Sequence, residues 1–287
     1  MKFPASELPL QPTGEIYHLA LNPEDIADYI IVVGDPGRVP AVSKYFDTVD
    51  FTKQNRELLT HTGTLRGKRI TVLSTGMGTD NIDIVMNELD ALANIDLKTM
   101  EEKTEHRTLN IIRIGTCGAL QADIPVHSFI AARYGFGFDG LLHFYNHGKG
   151  FDEEIVEAFV KYTGWGEKLP YPYCVEGNKE LFDRIGYDMV EGITASSPGF
   201  FGPQGRQLRV GLAFPNMNGK IDSFHFGDKR ITNLEMETSA LYGFGQIFGH
   251  NMLTVCVAVA NRITHDFSKD YHPAVDQLIR TVLERIF

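Results

Sequence analysis

Short apolar segments rich in β-branched residues alternate in this chain with segments of helical periodicity, and this alternation constrains the fold more than any other feature. Tyr29–Val33 is apolar throughout and is followed by a glycine, as is typical of a buried strand. Residues 38–46 follow after a short loop and carry apolar side chains at helical spacing. Strands that are apolar on both faces need cover on both sides, so we predict an α/β protein with a central, largely buried sheet.

The remainder of the chain continues this pattern. Leu58–Leu65 and residues 69–73 are predicted to form a hairpin, and a glycine-rich turn at 76–80 is predicted to open a helix that ends near Ala93. The further predicted strands are 111–114, 128–132, 191–197 and 252–260, and the further predicted helices are 237–248 and 273–286. Ligands bind at the carboxyl ends of the strands in such sheets, which directs attention to the residues that follow each strand.

Size and charge narrow the class of protein. The 287 residues suffice for a large core and no linker marks a boundary, so residues 1–287 are predicted to form a single domain. A net charge of −10 without any basic run argues against a nucleic-acid or membrane partner. The three cysteines are scattered and suggest neither disulfides nor a zinc motif. With no signal peptide or membrane-spanning run either, a cytoplasmic protein is expected.

Two arginines near predicted strand ends indicate an anion site. Arg38 follows the glycine-rich loop that begins at Gly34, where the backbone can approach a ligand closely. Arg113 lies inside an apolar run and Thr116 follows it at the predicted strand end. A buried guanidinium needs either an internal ion pair or a bound anion, and the sequence leaves both readings of Arg113 open.

Two further segments carry polar groups suited to a sugar and a base. In Glu235-Met236-Glu237, a carboxylate can accept hydrogen bonds from a vicinal diol such as ribose, although Glu237 could equally cap the helix that follows. Residues 200–206 form a glycine- and proline-rich loop with a glutamine and an arginine. A side-chain amide can recognise the edge of a base, and an ordinary surface loop is the alternative.

Taken together, these segments resemble the hexameric nucleoside phosphorylase family. The motifs occur in the order GDPGR, NRE, STGMG, RIGTCG, TASS with FFGPQGR, EMET and ANR, from about Tyr17 to Arg262. The resemblance implies a nucleoside phosphorylase fold, in which a mixed central sheet is distorted towards a barrel and flanked by helices. It also implies a homo-oligomer with a dimer as its minimal unit and a hexamer as the expected assembly.

The resemblance also assigns roles to individual residues. The phosphate-binding positions are Gly34, Arg38, Arg113 and Thr116, together with Arg56 supplied by a neighbouring subunit. The ribose-binding positions are His18, Thr116, Met236 and Glu237, with His18 again reaching across an interface. The base-binding positions are Phe200, Gln204, Arg206, Cys117 and Gly118. The residues expected to catalyse the reaction are Arg38, Arg113, Glu237, Gln204 and Arg206. A monovalent cation such as K⁺ is expected at Glu57, Ile70 and Ser74.

The implied reaction is the phosphorolysis of a pyrimidine nucleoside: uridine and phosphate give uracil and ribose 1-phosphate, with no cofactor. Asn261 favours a pyrimidine, because purine-cleaving relatives carry at this position an aspartate that protonates the base. Cys117 and the 197–206 loop depart from the family pattern and bear on base specificity. The alternatives are a purine nucleoside phosphorylase, a hydrolytic nucleosidase on the same fold, and a nucleoside-binding protein without catalytic activity.

Overall fold

Backbone contacts divide the chain into two units, which are described separately. The computed structural model describes residues 2–146, 148 and 150–287. The first unit is the chain up to Ile112 together with Phe248–Asn251, and the second unit is Arg113–Ile247 together with Met252–Phe287. The assignment of residues 1–287 to one domain stays a prediction.

The first unit contains a sheet with the strand order β1-β4-β3-β2. Its elements are β1 (Tyr29–Val33), α1 (Arg38–Ser43), β2 (Thr48–Asn55), β3 (Leu58–Leu65), β4 (Lys68–Ser74), α2 (Thr79–Asn94), β5 (Ile95–Asp96) and β6 (Glu101–Glu102). Strand β1 runs parallel to β4, whereas β3 is antiparallel to both β4 and β2. The buried strand β1 and the hairpin of β3 and β4 confirm the sequence predictions.

Two details of the first unit differ from the predictions. Helix α1 ends at Ser43 rather than near Phe46, because the amides of Tyr45 and Phe46 bond to carbonyls three residues earlier and close the helix with tight turns. Strand β2 was not predicted. Its residues are mostly polar and exposed, so it lacks the apolar signal by which a strand is recognised.

The second unit is built on longer strands. Its elements are β7 (Asn110–Ala119, in this unit from Arg113), β8 (Phe129–Gly137), α3 (Glu153–Thr163), β9 (Tyr173–Glu176), α4 (Lys179–Leu181), β10 (Val190–Ser196), α5 (Met217–Asp222), β11 (His225–Phe226), β12 (Lys229–Glu235), α6 (Thr238–Phe248, here to Ile247), β13 (Asn251–Asn261, here from Met252), β14 (Asp266–Phe267) and α7 (His272–Arg285). Helices α6 and α7 and strands β10 and β13 confirm the predicted elements. None of the helices in the described part of the chain has the length and apolar character needed to cross a bilayer.

Strands of the second unit close into a barrel. The neighbours follow the order β12-β10-β8-β13-β7, and β7 pairs in turn with β12, with Ala119 opposite Asn233 and Gly118 opposite Leu234. Strand β10 is parallel to β8 and β12, whereas β13 is antiparallel to β8. The predicted mixed, barrel-like sheet with flanking helices is therefore confirmed.

Aromatic packing covers the part of the barrel that faces α3. The Phe159 ring lies 4.8 Å from that of Phe136 and 5.2 Å from that of Phe224, within a buried apolar cluster. Next to it, β8 approaches the first turn of α6 closely. A Cβ at Gly135 would lie 2.9 Å from the Ser239 Cα, so only glycine permits this approach. The beginning of α6 is thereby fixed against the barrel wall.

Candidate active site

In the first unit, the two glycine-rich turns lie side by side. A Cβ on Gly34 would lie 3.4 Å from the carbonyl oxygen of Gly76. Asp35 stabilises the first turn, because its Oδ1 accepts the amide of Gly37 at 2.8 Å. Arg38 begins helix α1 immediately afterwards and is partly buried. The sequence placed both turns after strands, and the fold of this unit brings them together.

His18 and the segment around Arg56 are also neighbours within the first unit. Asn55 Nδ2 donates to the His18 carbonyl at 2.8 Å, and Arg56 is exposed with a φ of +54°. His18 is oriented by Glu88, whose Oε1 lies 2.7 Å from His18 Nδ1 and also accepts the His18 amide at 2.8 Å. The two residues that the family resemblance predicts to reach a partner subunit are thus held at one place.

Two residues of the predicted cation site, Glu57 and Ser74, lie at the turn between β2 and β3, whereas Ile70 lies further along β4, opposite Gly63. Ser74 Oγ donates to the Glu57 carbonyl at 2.6 Å and accepts the Leu59 amide at 2.8 Å, while Ile70 is buried. The Glu57 carboxylate accepts a hydrogen bond from Asn81 at 3.3 Å. The Ser74 hydroxyl therefore already has two backbone partners, and the cation site stays a prediction.

In the second unit, Arg113 contacts Glu237 directly. Its Nη2 donates to Glu237 Oε2, and its Nη1 lies 3.3 Å from both Glu235 Oε2 and Cys256 Sγ. Burial by itself lowers the pKa of the Arg113 guanidinium, but the carboxylates of Glu237 and Glu235 outweigh it and raise that pKa. Arg113 thus takes part in an internal ion pair, while its Nε–H and one Nη2–H have no partner among the described residues.

The predicted end of the strand that carries Arg113, at Gly115, was wrong, and so was the placement of Thr116 at that end. Strand β7 continues to Ala119, so both residues lie inside it. The prediction took Gly115 for a strand stop, but this glycine instead makes room for the arginine. A Cβ at Gly115 would lie 2.0 Å from Arg113 Nη1 and 2.9 Å from Cys256 Sγ. Glycine here permits a close approach of side chains and does not end the strand.

Cys117 and Gly118 belong to the same strand. Cys117 is buried, and its Sγ lies 3.7 Å from the Val257 carbonyl oxygen. Burial raises the pKa of the Cys117 thiol, which is then neutral at physiological pH. Gly118 pairs with Leu234 where β7 meets β12. Both of these predicted base-binding residues therefore lie on strand β7, which also carries Arg113.

Glu235, and not Glu237, caps the helix that follows. Its Oε2 accepts the amides of Glu237 and Thr238 at 3.0 Å, and its Oε1 accepts Ser196 Oγ at 2.5 Å. Helix α6 starts at Thr238, so this carboxylate satisfies amides that the helix leaves without internal partners. Glu237 is thereby left to contact Arg113, and Met236 lies between them, partly exposed.

The predicted base-recognition residues form one cluster on the 197–206 loop. Arg206 Nη1 donates to Gln204 Oε1 and to the Phe200 carbonyl, both at 2.6 Å, and its guanidinium lies 3.8 Å from the centre of the Phe200 ring. Gln204 is buried, and its carbonyl accepts a hydrogen bond from Asn218 at 3.1 Å. An amide, a guanidinium and an aromatic face are therefore presented together on one loop.

Sequence reasoning did not select Arg262 as a site residue. Burial, followed by the positive charge of Arg262, lowers the pKa of Arg206 to about 10. Arg262 Nη1 is itself buried and has no hydrogen-bond partner among the described residues. Two arginines with incomplete pairing favour an electron-rich ligand atom between them. The sequence did contain a feature that could have identified Arg262. This arginine directly follows the longest apolar strand, at the carboxyl end where ligands bind.

Asn261, which the sequence analysis used to infer a pyrimidine substrate, also has a structural role. Its Nδ2 donates to the carbonyls of Gln121 and Ile124, both at 2.8 Å. Its Oδ1 accepts the amides of Ile263 and Thr264 at 2.8 and 2.9 Å. The amide therefore ties together two chain segments, and its hydrogen-bonding capacity is filled by the backbone.

We expect Asn261→Asp to lower the free energy of unfolding by about 3 kcal/mol, because it turns a carboxylate oxygen towards two buried carbonyls. Urea unfolding of the purified protein measures this change. The control is Asn216→Asp, at an exposed asparagine whose side chain makes no capping bond. Equal stability of the two variants would contradict the structural role of Asn261.

Comparisons with known proteins agree with this fold and identify the family. Residues 28–286 match the family model described as the phosphorylase superfamily. A uridine phosphorylase of Thermococcus kodakarensis is 31% identical over 277 residues, covering 93% of this chain and 85% of the relative. A DeoD-type purine nucleoside phosphorylase of Listeria welshimeri is 25% identical over 244 residues, covering 83% and 84%.

A solved structure resembles the whole chain. The nucleoside phosphorylase of Trypanosoma brucei, described as showing uridine phosphorylase activity, has a TM-score of 0.87 and 31% identity and covers 97% of this chain and 98% of its own. A uridine phosphorylase of the oomycete Phytophthora capsici has a TM-score of 0.70 at 20% identity, covers 100% of this chain and 98% of its own, and supports the fold alone. The chain belongs to the phosphorylase superfamily.

Proposed function

We propose that this protein catalyses the reversible phosphorolysis of uridine, giving uracil and ribose 1-phosphate, and is thus a pentosyltransferase of nucleoside salvage. The contact between Arg113 and Glu237 carries the proposal. It joins a guanidinium, which is matched to phosphate, to a carboxylate, which is matched to the ribose diol. Groups that bind phosphate and sugar are thereby adjacent, as attack of phosphate on C1′ requires.

The charges of this pair suit the reaction. Cleavage of the glycosidic bond develops positive charge on the sugar, and bound phosphate stabilises that charge before its oxygen forms the new bond to C1′. Arg113 can bind the phosphate through the N–H groups that Glu235, Glu237 and Cys256 leave without partners. Glu237 then fixes the ribose hydroxyls, and most of the rate gain comes from this positioning.

The leaving base would be stabilised by Gln204 and Arg206 on the 197–206 loop. Negative charge develops on the uracil edge as the bond to C1′ breaks and the electron pair moves into the ring. Gln204 and Arg206 are held together by a hydrogen bond and present an amide and a guanidinium to that edge. Preorganised donors of this kind stabilise developing charge without reorganisation, so no acid at the bonded nitrogen is needed.

The family resemblance completes the proposed site. It adds Gly34, Arg38, Thr116 and Arg56 for phosphate, and His18, Met236 and Thr116 for ribose. It adds Cys117, Gly118 and Phe200 for the base, and Glu57, Ile70 and Ser74 for a monovalent cation. We further propose a homo-oligomer with a dimer as its minimal unit and a hexamer as its full assembly. The three cysteines are free thiols, which is consistent with a reducing cytoplasm.

Similarity to relatives favours uridine over a purine substrate. Two relatives named for uridine phosphorylase activity, those of Thermococcus kodakarensis and Trypanosoma brucei, are 31% identical to this chain, whereas the purine nucleoside phosphorylase of Listeria welshimeri is 25% identical. Asn261 agrees with this preference, because its amide has no proton to give to a purine ring and is occupied by backbone groups. A hydrolytic nucleosidase needs no group that binds phosphate, so the Arg113 N–H groups that remain without a partner among the described residues favour a phosphorylase.

A panel of nucleosides assayed with and without phosphate tests the proposal. We expect uridine to be cleaved only with phosphate and to yield ribose 1-phosphate, with inosine turned over at least about 100-fold more slowly. Chromatography of base and sugar products provides the readout. Cleavage without phosphate would indicate a hydrolase, faster inosine cleavage would indicate a purine enzyme, and binding without turnover would indicate a sensor. Any of these three outcomes contradicts the proposal.

A further inference from the structure

The Glu235 carboxylate is a buried group of the second unit that contacts several donors. It is 4% exposed and accepts hydrogen bonds at both oxygens. The same group reaches Arg113 at 3.3 Å and the Glu237 amide at 3.0 Å. One carboxylate therefore contacts both the side chain assigned to phosphate and the backbone of the residue assigned to ribose.

We propose that Glu235 is a positioning residue that fixes Arg113 and Glu237 relative to each other and so aligns phosphate with the ribose. This inference rests on the proposed function and extends it to a residue that was given no role in substrate binding. Glu235 holds Arg113 from the Nη1 side, which directs Nη2 to Glu237. It also holds the backbone at Glu237 by its capping bonds, so the two groups cannot move independently.

Hydrogen bonds behind Glu235 keep its own carboxylate in place. Ser196 Oγ donates to Glu235 and accepts the Ser239 amide at 2.9 Å. Ser239 Oγ in turn donates to Asp139 Oδ2 at 3.1 Å, and Tyr173 OH donates to the same carboxylate at 2.8 Å. Burial raises the pKa of Asp139, in line with its enclosed position. These hydrogen bonds connect the Glu235 carboxylate through Ser196 and Ser239 to Asp139 and Tyr173.

The chemistry of these contacts requires a carboxylate. Each group facing Glu235 is a donor: a guanidinium, a hydroxyl and two backbone amides. A glutamine has the same shape, but it would turn an NH₂ group towards some of these donors and would carry no charge for Arg113. Arg113 would then be held by Glu237 alone, and its orientation would no longer be set from two sides.

The test is steady-state kinetics of Glu235→Gln in the full chain, with phosphate and uridine varied separately. We expect kcat/KM to fall about 100-fold from misalignment, and the KM values for phosphate and for uridine to rise together. A merely structural role would lower kcat in proportion to the folded fraction and leave both KM values unchanged. Glu191→Gln, at an exposed glutamate on β10, is the matched control and should behave like the wild type.

Ser196→Ala provides a second variant that keeps the charge of Glu235. It removes the 2.5 Å bond to Oε1, and we expect the same joint rise in both KM values with a loss of kcat/KM of up to about tenfold. If Glu235→Gln does not fold, Ser196→Ala decides: unchanged KM values overturn the inference. Wild-type protein that does not cleave uridine with phosphate would overturn the proposed function as well. Wild-type activity together with unchanged KM values in the variants would overturn the role of Glu235 alone.

Discussion

Replacing Arg113 with methionine is expected to lower kcat/KM for uridine phosphorolysis roughly 1000-fold, as the loss of one preorganised charged donor does in other active sites. Methionine keeps much of the length and apolar volume of the side chain but has no guanidinium. Phosphate would lose a direct ligand, and Glu237 would lose the contact that orients it. Initial rates measured over a range of phosphate concentrations should show the loss mainly as weaker use of phosphate.

The same substitution should also destabilise the fold. Arg113 is buried between two buried carboxylates, and its removal leaves both without a positive partner. Breaking a buried pair in this way lowers the free energy of unfolding by about 3–5 kcal/mol. Urea unfolding of the purified variant beside the wild type measures this loss of stability.

Arg280→Met is the matched control, because Arg280 lies on helix α7 with 55% of its side chain exposed and a partly exposed partner. Its stability should stay within about 0.5 kcal/mol of the wild type. Arg113→Met with normal stability and normal use of phosphate would show that the ion pair is neither structural nor catalytic. Normal stability with lost activity would support a ligand-binding role alone.

Replacing Arg206 with alanine is the second large effect, and we expect kcat/KM for uridine to fall about 100- to 1000-fold. The variant loses the guanidinium that would stabilise charge on the leaving base. It also loses the contacts to Gln204 and the Phe200 ring that shape the loop. Arg206→Lys should recover part of the activity through its charge, but not the planar contact with Phe200.

Phosphate use separates this effect from that of Arg113. The KM for phosphate should change little in Arg206→Ala, because the residue is assigned to the base and not to phosphate. Arg209→Ala is the control: this arginine is exposed a few residues further along the chain. Unchanged uridine kinetics in Arg206→Ala would remove the loop from the base-binding site and with it the structural argument for uracil.

Local structure was predictable where a local signal exists. The strand at Tyr29–Val33, the hairpin after Leu58 and the helix over Thr79–Asn94 agree with the sequence, because periodicity and glycine turns act over a few residues. Strand β2 was missed because polar, exposed residues form it. Strand β7 was cut short at Gly115, where the space needed by Arg113 explains the glycine better than a strand end does.

Local pattern could not decide between the two readings of Arg113. The sequence allowed an ion pair or an anion site. The structure shows the ion pair, and two N–H groups of Arg113 remain without a partner among the described residues. The sequence also left open that Glu237 caps α6, whereas Glu235 performs this role. The two carboxylates are chemically identical and two residues apart, so only the direction of each side chain separates their roles.

The sequence by itself determined the α/β class, most of the strands and helices, and the ordered motifs that identify the family and predict its site residues. The tertiary structure alone decided how the strands close into a barrel and which side chains meet there. Arg113 and Glu237 are 124 residues apart, and Ser196 and Glu235 are 39 apart. Such contacts depend on strand pairing and register across the whole sheet. Packing between residues far apart in the chain sets this register, so the residues next to each contact in the sequence do not predict it.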